Sequence, residues 1–394
     1  MLQRALPFGL EEYADRLART RASMAARGMD LLIVVDPANM AWLTGYDGWS
    51  FYVHQGVIVP MDGDPIWWGR GIDENGARLT TWLADDNIRA YADDFVQSRE
   101  RHPMEDLSRL IAAEGWDKGR IGVEMDCFQF PAAAFAALRR GLPDARFVDA
   151  GGLVNWLRSI KSAQEIAFMR KAARIVESMY DVIFARARPG LRKNELVGDL
   201  VRAGIVGTDA FGGDYPAIAP IVPSGEEAST SHLTWNDKPL RKGEATYFEI
   251  AGCHRRYHAP LCRTIHLGKP PAHVLNAEAA LLDGLAAGIE AARAGNRACD
   301  VAAALFAVFE RAGIAKDSRC GYSVGLGYPP DWGERTISFR RSDETELKPG
   351  MTFHFMPGIW ADGWGVAITE TILIRETGAA EPLADVPRAI CVID

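Results

Sequence analysis

The chain has no Cys-x-x-Cys pair, no run of lysines and arginines, no internal repeat, no low-complexity segment and no apolar stretch of about 18 residues. Each absence removes a class of function. The six cysteines, Cys127, Cys253, Cys262, Cys299, Cys320 and Cys391, are scattered through 394 residues, a chain too long for a disulfide-stapled scaffold, and they read as reduced cytosolic thiols. A formal net charge of −8 without a basic cluster argues against nucleic acid or an anionic membrane surface as partner. An anionic small molecule would need local arginine help. The opening MLQRALPFGLEEYADRLARTR shows no apolar core ahead of its charged residues, so neither a signal peptide nor a membrane span is expected. A soluble, cytoplasmic protein is the resulting expectation.

With 48% hydrophobic residues there is enough apolar material for two cores, since single cores rarely grow past roughly 250 to 300 residues. Apolar spacing at Tyr13, Leu17 and Met24 predicts a helix over Leu10 to Gly28, feeding the β-branched run DLLIVVD. GVIVP, Ile121 to Glu124 and Phe147 to Asp149 read as further strands, and an Ala-rich helix is expected from Pro131, at its first position, to Arg140. This alternation implies a compact α/β domain over residues 1–160. SAQE, Ser162 to Glu165, is a capping box opening a second domain over 161–394, with Ile166, Met169, Ala173, Val176 and Tyr180 on one helix face. Strands are expected from Ile218 onward, with two helices between Val274 and Ala312 broken at Gly295.

The densest polar segment inside an apparent sheet is YFEIAGCHRRYHAPLCRT, Tyr247 to Thr264. Alternation sets Glu249 on the face of Tyr247 and Ala251, where a core side chain is expected. A buried carboxylate without a partner is costly, so Glu249 is either ion-paired, to Arg255 or Arg263, or chemically employed. His232, in STSHLTWND, lies in a polar turn before that strand. A lone loop histidine is more often merely exposed.

Here a family resemblance enters. The chain resembles the creatinase/prolidase, or pita-bread, family over nearly its whole length, including IKSAQEIAFMRKAARI. Metal-dependent members show Asp-x-Gly, Tyr…Asp-x-x-Arg-Thr, Gly-His-Gly-x-Gly, Glu-Pro-Gly and Glu-Asp-Thr. The matching stretches are FEIAG, YHAPLCRT, SVGLG, FMPGIW and ITET, so the five ligand positions become Glu249, Pro260, Val324, Met356 and Thr369. Pro, Val and Met offer no hard-metal donor, so neither a two-metal site nor any other cofactor is expected. Glu370 stands beside the last position, aimed the other way by strand alternation.

Within the family, SVGLGYPPDWGERTISFR and PAIAPIVPSGEEASTSHLTWND resemble the bacterial ectoine hydrolases. That resemblance implies metal-independent opening of a cyclic amidine bearing a carboxylate, with Glu249 and His232 catalytic. Arg335, in DWGERT, would take the substrate carboxylate bidentately, unless it pairs with Glu334 or Asp331 on a surface turn. Trp332 would cover the amidinium, or else be core. In metal-free relatives the stretch matching Thr44 to His54 closes over the partner subunit's site, which implies a homodimer with Trp49, Tyr52 and His54 reaching substrate. Trp49 and Phe51 would otherwise be core of the small domain. Arg70 is a weaker carboxylate partner. The rivals are a creatinase-like amidinohydrolase acting on a guanidino acid, a pita-bread binding module without catalysis, and a metal peptidase with unusual ligands. An N-acetylated product would require a downstream deacetylase as a functional partner.

Overall fold

A computed structural model describes residues 6–394. The chain divides into two compact units, one ending at Arg158 and the other spanning Ser159–Asp394. In the first, the helix Leu10–Ala26 buries Tyr13, Leu17 and Met24, the face that its apolar spacing marks. Six strands follow: β1 (Leu31–Val34), β2 (Gly56–Pro60), β3 (Ile66–Arg70), β4 (Ile88–Tyr91), β5 (Arg120–Val123) and β6 (Arg146–Asp149). They form one sheet in the order β4-β3-β2-β1-β5-β6. Ile33, Ile58, Trp68, Ile121 and Leu138 are buried together in its core. Each such side chain contributes roughly 1.5 to 3 kcal/mol on burial. Pro131 caps the helix Ala132–Gly141 with extended backbone instead of occupying its first turn, a shift of one residue from expectation.

The second unit opens on the helix Ala163–Arg186, whose capping box is formed by Ser162 and Glu165. Met169, Ala173, Val176 and Tyr180 are buried as expected, while Ile166 is half-buried. The helix lies on the hairpin of β7 (Ala245–His254) and β8 (Tyr257–Leu267). Two contacts fix that packing. Tyr180 Oη donates to the Phe248 carbonyl at 2.6 Å. Gly252 lets the backbones approach closely, because a Cβ there would sit 2.0 Å from the Ala172 carbonyl oxygen. The hairpin turns on two residues, Arg255 and Arg256, both at positive φ (52° and 65°), a geometry that usually selects Asn or Gly. Arg256 offsets this by placing its guanidinium 3.7 Å from the Tyr215 ring centroid.

The remaining strands are β9 (Gly321–Tyr328), β10 (Asp331–Ser338), β11 (Thr352–Phe355), β12 (Gly358–Ala361), β13 (Trp364–Ala367), β14 (Glu370–Leu373), β15 (Glu381–Pro382) and β16 (Cys391–Ile393). The large sheet runs β15-β14-β11-β9-β8-β16, with β10 on β9 and β7 on β8. Helices Ala272–Ala291 and Ala298–Arg311 bury Leu281, Leu285, Leu305 and Phe309 with Phe353 and Phe355 of the sheet. Regular strands begin at Ala245, later than the expected Ile218. Between them the segment makes isolated bridges, Ile221 to Glu249, Ser224 to Thr246 and Pro239 to Arg192, because Pro220, Pro223 and Pro239 each remove a ladder donor. No helix among the described residues is long and apolar enough to cross a membrane.

Candidate functional site

Alternation along β7 turns Phe248 and Ile250 the same way as Gly252, toward the helix, and leaves Tyr247 and Glu249 on the other face. Glu249 pairs in register with Cys262 of β8 and is 7% exposed. Burial alone pushes its carboxyl up to about 7. Among the described residues no side chain donates to it. The ion-paired reading fails for a topological reason: Arg263, one residue beyond Cys262, points to the opposite face and meets Glu370 at 2.5 Å. Arg388 adds a second contact to Glu370 at 2.9 Å. Arg255 is exposed in the hairpin turn.

The five ligand positions do not fit a metal. Among the described residues no group of three or more His, Cys, Asp or Glu side chains is placed to hold one. Pro260, Val324 and Thr369 are buried and Met356 half-buried, and of the five only Glu249 carries a carboxylate.

His232 is exposed, and its Nδ1 lies 3.3 Å from the Ser231 hydroxyl within its own loop. Its loop is nonetheless held beside the Glu249 face. Tyr247, the neighbour of Glu249 on that face, donates its hydroxyl to the Thr230 carbonyl, and the Val222 N–H reaches the Leu233 carbonyl at 3.2 Å. Glu227 ties the loop base: burial would raise its carboxyl, but Lys193 (2.6 Å) and Lys238 (2.8 Å) hold it down at about 2. Asn236 donates to the same carboxylate at 2.9 Å.

Behind Glu249 lies a hydrogen-bonded row that the sequence pattern did not mark. Thr369 Oγ accepts the Cys262 N–H at 2.7 Å and stands 2.7 Å from His354 Nε2. His354 Nδ1 is 3.3 Å from the Tyr322 hydroxyl, which accepts Trp332 Nε1–H at 2.8 Å. His354 and Tyr322 are register partners on β11 and β9, and burial, followed by the Glu249 charge, raises the Tyr322 pKa. His354 is fully enclosed, and burial, with Arg319 nearby, lowers its pKa to about 3. In MTFHF it alternates with two core phenylalanines, so by sequence it reads as an ordinary strand residue. Trp332 is also wholly enclosed, which places it as the support of Tyr322 and removes the reading of an open aromatic cover.

Arg335 is exposed on β10, where the pairing with β9 is irregular, and holds φ at +59°. A left-handed non-glycine residue is strained, and such positions re-aim side chains. Its neighbour Glu334 is buried and meets Lys161 at 2.6 Å. Asp331 is engaged by the Gly333 N–H at 2.8 Å.

In the first unit Trp49 and Tyr52 are 56% and 68% exposed, so the core reading of Trp49 is wrong, and Phe51 is half-buried against it. His54 is pushed down to about 4 by burial and by His102, whose ring centroid lies 4.8 Å away. Tyr52, His54 and His102 line a cavity of about 210 Å³. Arg70 is committed to Asp93 at 2.6 Å, which removes it as a carboxylate partner.

Comparison with known proteins places this geometry. Residues 167–376 match metallopeptidase family M24, and residues 16–160 match the creatinase/prolidase N-terminal domain. The chain belongs to the creatinase/prolidase family. It is 53% identical to an ectoine hydrolase of Halomonas elongata, over 100% of both chains. It superposes on a prolidase from Thermococcus sibiricus with a TM-score of 0.84 at 19% identity, covering 97% of this chain and 99% of that one. It also superposes on the N-terminal domain of a FACT complex subunit from Cicer arietinum, with a TM-score of 0.75 at 14% identity over 98% of this chain and 100% of that one. The two solved structures establish the pita-bread fold, and the H. elongata relative makes the chain a hydrolase of non-peptide C–N bonds.

Proposed function

We propose that the protein is a metal-independent hydrolase that opens the cyclic amidinium ring of ectoine to an N-acetylated 2,4-diaminobutyrate. The observation that carries this reading is Glu249, a buried carboxylate with no cation beside it, in a chain 53% identical to an ectoine hydrolase. Burial holds the Glu249 carboxyl at about 7, so an amidinium entering the site supplies the missing positive charge and draws the proton off. The carboxylate then faces the electrophilic carbon. Water has a pKa of about 15.7, and with no donor set for a metal the activation falls to Glu249, acting on the carbon directly or through water.

Proton counting constrains the rest. An amidinium plus water becomes an amide plus an ammonium, so the departing nitrogen takes up two protons, both originating in water. The loop histidine His232 delivers one of them, a task suited to imidazole near neutral pH. Arg335 holds the substrate carboxylate. Trp49, Tyr52 and His54 act as a lip contributed by a second subunit of a homodimer, with the exposed aromatic faces supporting that assignment. The acetylated product calls for a deacetylase downstream.

The test is direct. Purified protein is incubated with ectoine and, separately, with creatine, and products are followed by proton NMR before and after chelation, with metal content measured. Ring opening of ectoine that survives chelation is expected. Turnover of creatine alone, or activity that tracks stoichiometric metal, overturns the reading.

A further inference from the structure

The second proton has no assigned carrier, and the buried row Trp332–Tyr322–His354–Thr369 is built to be one. Its hydrogen-bond capacities can be counted atom by atom. Trp332 Nε1 only donates, so one lone pair of the Tyr322 oxygen is filled at 2.8 Å. The Cys262 N–H likewise only donates, so one lone pair of Thr369 Oγ is filled at 2.7 Å. Between these two hydroxyls sits His354, with Nδ1 at 3.3 Å from one and Nε2 at 2.7 Å from the other. A neutral imidazole donates from one nitrogen and accepts at the other.

Two arrangements satisfy these constraints. With the proton on Nε2, Thr369 Oγ accepts twice and its own proton is released outward, while Tyr322 donates to Nδ1. With the proton on Nδ1, Tyr322 accepts twice and its own proton is left outside the row, while Thr369 donates to Nε2. In each arrangement one hydroxyl proton is left outside the row. The histidine tautomer decides which.

We infer that Tyr322, His354 and Thr369 form a proton relay that returns to the departing ring nitrogen the proton Glu249 takes from the attacking water. The inference rests on the reading of Glu249 as the group that activates water. The transfer balances: Thr369 gives its proton to the nitrogen and receives the one on Nε2, Nδ1 receives the Tyr322 proton, and Tyr322 receives the proton held by Glu249 across one water, which gains that proton and loses another. Every link loses one proton and gains one, and His354 ends in the other tautomer. It stays uncharged in both resting arrangements. Thr369 occupies a position where the family places a metal-binding glutamate, so a hydroxyl donor stands where a relative has a ligand. Trp332 and the Cys262 N–H act as stops that give the row its direction, and both are positioning groups.

Four measurements on the full-length protein test this. In wild-type protein labelled with ¹⁵N-histidine, the ring shifts of His354, assigned by loss of its signals in His354→Gln, should report one neutral tautomer in the free enzyme and the opposite one with ring-opened product bound. Thr369→Val and Tyr322→Phe should each lower kcat for ectoine by about 10² or more, the lower range for proton-transfer catalysis, with KM within about twofold. Thr369→Ser should restore kcat to within several-fold, which a merely structural role for the hydroxyl's neighbours would not require. Unfolding curves confirm that each variant is folded. A His354 imidazolium, a tautomer unchanged by product, or full kcat in folded Thr369→Val overturns the relay. If instead Glu249→Gln keeps full activity, the reading of Glu249 fails first, and the tautomer measurement still judges the row by itself.

Discussion

Two buried glutamates on opposite faces of one sheet have been treated in opposite ways. Glu370 is fully enclosed and is met by Arg263 and Arg388. Glu249 is almost as enclosed and, among the described residues, is met by no cation. The residues that separate them are adjacent in sequence, Cys262 facing Glu249 and Arg263 facing Glu370. A third carboxylate shows that burial by itself signals nothing. Glu124, in the other unit, is also raised to about 7 by burial and by Asp36, yet it accepts from Val35 N, Asp36 N and Asn39 Nδ2 and simply ties a turn together. What distinguishes Glu249 is that its shift has one cause and no compensation, which is the place the proposed amidinium would fill.

The contrast breaks most sharply at activity. Glu249→Gln should reduce kcat/KM for ectoine by at least about 10² to 10⁴, the range for loss of a catalytic acid or base, whereas Glu370→Gln should leave kcat of the folded protein within a few-fold. Steady-state kinetics on both variants check this. Equal losses would erase the distinction between the two faces.

Stability should reverse the ranking. Glu370→Gln strands the Arg263 guanidinium inside the protein and is expected to cost about 3 to 5 kcal/mol in urea unfolding. For Glu249 the sign is opposite. Its folded pKa, about 7, lies above the ordinary 4.5, so the folded state holds the proton more tightly and stability falls as pH rises from about 4.5 through 7. Glu249→Gln, which cannot ionise, should therefore be more stable than wild type at pH 8 by up to about 3 kcal/mol, and nearly equal to it at pH 4.5. Denaturant midpoints at the two pH values measure it. A constant difference across that window would mean Glu249 is already paired.

Arg335→Ala sharpens the substrate side. Losing a charge-assisted contact to the ectoine carboxylate should raise KM by roughly 10- to 150-fold, equivalent to about 1.5 to 3 kcal/mol, with a smaller change in kcat. The smallest expected effect is at the exposed lip, where Trp49→Ala should raise KM several-fold without altering unfolding, since that ring is already in solvent.

Much of this protein was legible in order along the chain. Ser162 and Glu165 marked the capping box, the period of Tyr13, Leu17 and Met24 marked the first helix, and the spacing of FEIAG, YHAPLCRT, SVGLG, FMPGIW and ITET marked five ligand positions with the wrong side chains. These signals are local, because caps, periodicity and motif spacing reside within a few residues of one another. The failures were equally specific. Strands expected from Ile218 were prevented by prolines that leave only isolated bridges, Trp332 was expected to cover the amidinium but is wholly enclosed, and Arg70, the weaker candidate for the substrate carboxylate, is already held by Asp93.

The sequence by itself determined the fold and the five positions where metal donors are replaced, since each depends on which residue types stand at fixed spacing. Tertiary structure alone decided that Arg263 belongs to Glu370, that Glu249 is left without a cation among the described residues, and that His354 on β11 joins Tyr322 on β9 to Thr369, the residue before β14. Those outcomes depend on strand register and on which face each side chain takes, and the partners that set them stand as far apart as Arg263 and Glu370. No local pattern can encode them.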